Sequence, residues 1–203
     1  MKRSEAGAAA SAYGYGPLVD MGDLALPEGF GYTVISREGE TFAVYWVKID
    51  NPDPYSNNVR YQAQSKGAAI FGREEGAWTS GGNVYFDCTD GGDAGLGQIW
   101  EYDPIASTLT LIYESHDATQ LKQPDNLCVC PTNGCLFVCE DTSDPHIRGL
   151  TPDGRLFTFS KALSNTTAEF CGATFDPSGA TLFVNQMRPG ITYAIRGPWQ
   201  NVS

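Results

Sequence analysis

The chain predicts an all-β fold organised as a β-propeller-like ring of four-stranded blades, incomplete or shortened. Three observations carry this. First, one unit recurs: an acid or amide, a short apolar strand, a Gly turn and a second apolar strand. It runs through residues 75–78, 81–82 and 84–86, then 125–128, 133–134 and 136–138, then 169–175, 178–179 and 182–184. The leading acids Glu75, Asp125 and Glu169 are 50 and then 44 residues apart, which is the period of a propeller blade. Second, 23 Gly and 12 Pro punctuate short β-branched and aromatic runs throughout the 203 residues, the pattern of many strands joined by tight turns. Third, no long amphipathic helical pattern competes. A two-sheet sandwich is the alternative, and the repeat favours the propeller.

Taken in order, residues 1–16 are small and polar and read as a disordered lead. Residues 17–199 read as a single propeller-like domain of a size that buries a proper core, and 200–203 as a tail. Residues 18–27 form an irregular lead-in. Residues 31–35 and 41–49 read as strands, the second long and aromatic. Residues 51–58, NPDPYSNN, make a turn-rich loop, and 62–69 fit either a short helix or an extended lead-in. Between the repeat units, 99–102 pairs through Asp103-Pro104 with 109–113. Likewise 147–150 pairs through 151–154 with 155–159.

The formal net charge of −11 argues against nucleic acid and anionic membrane surfaces as partners, because both need Lys and Arg. No run approaches the roughly 18 apolar residues of a membrane span. Lys2 and Arg3 are not followed by an apolar run of export-signal length. The six cysteines include Cys128, Cys130, Cys135 and Cys139 within twelve residues. On a hairpin these read as packed thiols, as a Cys130–Cys135 cross-strand disulfide, or as metal ligands. Their spacing suits a tetrahedral zinc site poorly. His116 and His146 lie in polar stretches and read as surface residues.

The chemistry centres on residues 71–97. In an extended segment, positions i and i+2 share a face, so Arg73 and Glu75 present a cation and a carboxylate side by side. That pair can hold an anion and a metal together, or be a plain ion pair. In a propeller the innermost strand of each blade lines the central channel. If Glu75, Asp125 and Glu169 begin innermost strands, three carboxylates gather at one end, where crowded acids stay ionised only around a cation. A ring of hard oxygens favours calcium over zinc. Asp90, Glu140 with Asp141, and Asn185 with Gln186 lie near the ends of the second strands. Asp125 and Glu140 are 15 apart, as are Glu75 and Asp90; aligning the Gly turns instead sets Cys88 against Glu140. Both registers are open.

The strings FGREEGAW, VYFDCTDGGDAGLGQIWEYDP, QPDNLCVCPTNGCLFVCED, IRGLTPDGRLFTFS and EFCGATFDPSGATLFVNQMRPGITYAIRGPW, with YGPLVDMGDLALPEGFGYTVISREGET before them, resemble the PhoX-type alkaline phosphatases, part of a wider family of exported bacterial β-propellers. The resemblance runs in order from about Tyr13 to Trp199. It implies a propeller channel holding iron and calcium, hydrolysis of phosphomonoesters, and a periplasmic or secreted location. Arg73 resembles the arginine that contacts substrate phosphate and Glu75 the glutamate that bridges metals. Asp125 and Glu140 resemble a pair of calcium-binding acids. Family members are about twice as long. A block expected near residues 40–42 is missing here, and with it a cysteine iron ligand, an asparagine and a further glutamate. Calcium is therefore the expected ion, with iron lacking visible ligands. An impaired phosphatase, a non-catalytic calcium-binding propeller fragment that self-associates through open edges, and a related propeller esterase or lactonase are the readings that follow.

Overall fold

The computed structural model describes residues 18–20, 25–27, 38–56, 58–163 and 169–202. The segment 1–37 and the segment 38–203 are separate compact units. In the first, β1 (Leu18–Asp20) pairs antiparallel with β2 (Ala25–Pro27), where the sequence predicts an irregular lead-in. The strand expected at 31–35 and the lead at 1–16 lie outside the described residues.

The second unit is all-β. Its first sheet contains β3 (Thr41–Ala43), β4 (Glu74–Ser80), β5 (Asn83–Cys88), β6 (Gln98–Asp103) and β7 (Thr108–Glu114), in the spatial order β3-β7-β6-β5-β4. The second contains β8 (Pro124–Val129), β9 (Leu136–Glu140), β10 (His146–Leu150) and β11 (Leu156–Lys161), in order β11-β10-β9-β8. The third has three strands, β12 (Phe170–Phe175), β13 (Thr181–Gln186) and β14 (Ile191–Arg196). Each sheet is an antiparallel meander starting from an inner strand, and the inner strands β4, β8 and β12 are successive neighbours. This is the blade arrangement of a propeller, with three consecutive blades and no closed ring among the described residues.

The cores lie between blades. Ile99, Leu127, Val129, Leu136, Val138 and Leu150 fill the space between the first and second. Cys128, Phe137, Cys139, Phe175, Val184 and Trp199 fill the space between the second and third. Trp78 is half-buried against both. On the outer side of blade one, Trp100 and Leu111 are covered by Phe42 and Phe71. Phe71 meets Phe86 and Trp100 edge-on at 5.3 and 5.5 Å, a favourable aromatic geometry.

The strand expected over 41–49 stops at Ala43. Three residues pair with β7, and beyond them the chain has no ladder, leaving Tyr45 and Trp46 exposed. Aromatic, β-branched composition makes a strand only where a partner is available. The ambiguous stretch after the loop is a helix, α1 (Val59–Ser65).

A bulge settles the register of the repeats. Each inner strand carries one extra residue against its neighbour: between Glu74 and Ala77 on β4, between Pro124 and Asn126 on β8, and between Cys171 and Thr174 on β12. Below the bulges, Glu74 pairs with Cys88, Pro124 with Glu140 and Phe170 with Gln186. The register set by the Gly turns therefore holds. One residue outward, Thr89 N donates to Arg73 O, Asp141 N to Gln123 O and Met187 N to Glu169 O. Arg73, Gln123 and Glu169 are thus equivalent positions. Glu75 and Asp125 fall in the bulges, whereas Glu169 precedes its strand.

Candidate active site

Bulges bend a strand and redirect its side chains. On β4 and β8 they set Glu75 and Asp125 at the heads of adjacent inner strands, close enough to influence each other electrostatically. Burial, then the charges of Glu75 and Asp141, raise the Asp125 carboxyl above its ordinary range, and Arg73 offsets this. Burial, a hydrogen bond to Asp141, and the charges of Asp141 and Asp125 raise Glu169, with Arg188 acting the other way. Arg73, Glu75, Asp125, Asp141, Glu169 and Arg188 therefore form a charged row across the inner ends of all three blades. The sequence-predicted trio of leading acids is brought into this row.

Arg73 sits at φ 56°, a conformation disfavoured for a side chain with a Cβ. Gln123, its counterpart in blade two, has φ 51°, so the left-handed residue is how the first two blades enter their inner strands. The Arg73 guanidinium reaches Glu75 Oε1 at 3.3 Å and Asp90 Oδ1 at 3.7 Å. Its side chain is 45% exposed. These long contacts leave N–H donors for another anion.

Glu140 is not brought to the row. It is 1% exposed and both its oxygens are occupied. Oε1 accepts from Arg148 Nε at 2.9 Å and Lys122 N at 3.1 Å, and Oε2 from His146 N at 2.9 Å. His146 Nδ1 lies 3.0 Å from Oε2. Arg148 further donates to Thr158 Oγ1 and to the Thr119 carbonyl. The residue presented to the row is Asp141, the next along. His146 begins β10 and is half-buried on Glu140, not the surface residue that its polar surroundings suggest; His116 is exposed as expected.

Asp87 was not among the predicted site residues. It lies on β5 behind the β4 bulge, with no solvent exposure. Oδ1 accepts from Gly76 N at 3.0 Å, and buried Oδ2 has no partner. Burial pushes its carboxyl up to about 7; the Gly76 hydrogen bond opposes this, while Asp125 and Glu75 add to it. Gly76 is where the inner strands touch. A Cβ there would stand 2.6 Å from Asp87 Oδ2 and 2.7 Å from the Asn126 Cα, so glycine is required for the approach.

The row's acids are hard oxygen donors of the kind calcium takes, and Asp87 Oδ2 is a buried oxygen without a partner. Among the described residues, however, no group of three His, Cys, Asp or Glu side chains is placed to hold one ion. As folded, the set does not make a complete cation site. All six cysteines are free. Burial pushes the Cys88 and Cys128 thiols up to about 12, so these behave as packed apolar groups and not as thiolate ligands.

Fold and site define an all-β, propeller-like protein with an arginine and a row of carboxylates at the inner ends of its blades. A family model described as alkaline phosphatase PhoX matches residues 42–190. The chain belongs to the PhoX alkaline phosphatase family, whose function at family level is of the alkaline phosphatase type. No curated protein matches the chain. Among the described residues, no helix is long and apolar enough to cross a membrane.

Proposed function

We propose that the chain is a metal-dependent phosphatase of PhoX type acting on phosphomonoesters in the periplasm or outside the cell. The observation that carries this reading is Arg73, half-exposed at the head of an inner strand with donors left over from two long carboxylate contacts. Phosphoryl transfer needs neutralised phosphoryl oxygens, an activated nucleophile and in-line geometry. A guanidinium supplies the first by bidentate hydrogen bonding. Glu75, 3.3 Å from it, fixes its orientation and adds a carboxylate at the reacting end. A calcium or iron cluster, if bound at the row, would supply Lewis acidity and a water of lowered pKa. Among the described residues the acids do not converge on one ion. His146 is held on Glu140, which leaves Ser/His/Asp-type chemistry without support.

The open edge of the third sheet favours a second reading, a non-catalytic calcium-binding propeller fragment. In it, the exposed edge strand β14 pairs with a second copy, as bare sheet edges do. A propeller esterase is less well supported, since Arg73 has no purpose against a neutral ester.

The test is hydrolysis of p-nitrophenyl phosphate after loading with calcium and ferric iron, with Arg73→Ala and Glu75→Gln alongside and metal content read by elemental analysis. Metal-dependent turnover that falls at least ~100-fold in both variants supports the phosphatase. Retained calcium without turnover supports the second reading.

A further inference from the structure

Strands of blades two and three, β10 and β11 on one side and β12, β13 and β14 on the other, border an open groove. It has a volume of about 440 Å³ and is lined by Ile147, Phe170, Val184, Ile191, Tyr193 and Ile195. That volume falls within the range of small-molecule pockets. Its counterpart between blades one and two is filled. Val138 pairs with Arg148 there as Val184 pairs with Tyr193 here, and Glu140 occupies the ladder position of Gln186. In blade two the carboxylate and guanidinium saturate each other. In blade three the corresponding pair is Gln186 and Tyr193, and it is incomplete. Gln186 Oε1 accepts from Tyr193 OH at 2.8 Å, while Nε2 is buried without a partner and the residue is 3% exposed. Gln186 is itself a lining residue. The groove is mainly apolar, with Ser160 and Lys161 on its β11 side, Lys161 being paired with Asp144, and with the unanswered Gln186 donor buried in its wall, where an unmet donor is costly.

Two lining residues are bonded directly to members of the charged row. Phe170 follows Glu169, and the lining residue Pro189 follows Arg188. We propose that this groove receives the organic part of the phosphoester, an aromatic or branched apolar group carrying one hydrogen-bond acceptor for Gln186 Nε2, while the phosphate lies along the row. This rests on the phosphatase reading and gives it a substrate preference: aryl over small polyol phosphomonoesters.

The test is calorimetric binding of three non-hydrolysable phosphonates to the metal-loaded chain. 4-Acetylbenzylphosphonate offers ring and acceptor, benzylphosphonate the ring alone, and 2-hydroxyethylphosphonate neither. The acetylbenzyl compound is expected to bind about tenfold more tightly than the hydroxyethyl compound, from the apolar area it buries. Ile191→Trp, which fills the groove from an exposed edge strand, should erase that difference and leave hydroxyethylphosphonate binding unchanged. Gln186→Leu should reduce the acetylbenzyl compound to the level of benzylphosphonate. Equal binding of all three to the native chain, as for a groove filled by the chain itself, overturns the proposal. So does a preference that survives Ile191→Trp. Either result leaves the phosphatase reading standing if Arg73→Ala weakens every phosphonate alike. No phosphonate binding at all sinks both.

Discussion

Asp87 and Glu140 are two buried carboxylates in adjacent blades, one ladder position apart, and their surroundings could hardly differ more. Glu140 is met by Arg148, His146 and the Lys122 amide. Asp87 receives one amide hydrogen bond and leaves an oxygen unanswered. Burial alone therefore says little about a carboxylate's role. A saturated one ties together the strands of its own blade, and an unsaturated one beside Glu75 and Asp125 is a point where the fold tolerates cost next to its site.

The largest effect should come from breaking the saturated side. Arg148→Met strands Glu140 in the core, and about 3–5 kcal/mol of stability should be lost in urea denaturation. Closing the space beside the unsaturated side comes next. Gly76→Ala puts a methyl against the backbone of β8, an overpacking worth about 1–3 kcal/mol by the same measurement.

Asp87 itself gives a pH signature. Its folded-state pKa is raised, so the native chain holds a proton that the unfolded chain has released. The favourable contribution is fully present below about pH 4 and is lost as pH rises through about 7. In the metal-free chain, kept so with chelator, stability should fall across this window. Asp87→Asn should flatten the slope and gain about 1–2 kcal/mol at pH 8. An unchanged slope would mean that Asp87 is answered in solution. The smallest effect belongs to the surface: Trp46, 84% exposed and bonded to Tyr102 OH, should shift stability by less than about 0.5 kcal/mol when changed to Ala.

The repeat was legible because Gly turns and apolar runs report local structure directly. The placing of Glu75 and Asp125 at the heads of inner strands followed from it. The register was not legible, because a bulge adds a residue without any compositional mark. That is why Glu169 looks like a partner of Glu75 yet stands in the position of Arg73. Glu140 and Asp141 are adjacent acids, and only the register of β9 decides which one meets Arg148 and which one joins the row. Asp87 hides within an aromatic strand between Phe86 and Cys88, where alternation gives no hint of an orphaned oxygen. The 41–49 stretch failed for the opposite reason, a strand-like composition without a neighbour to pair with.

Trp78 belongs to both inter-blade cores at once. In a linear array of repeats, units that touch only across separable interfaces can melt one after another. A side chain wedged into both interfaces ties their fates, so heating should release the three blades together, in one calorimetric peak whose enthalpy matches the van't Hoff value.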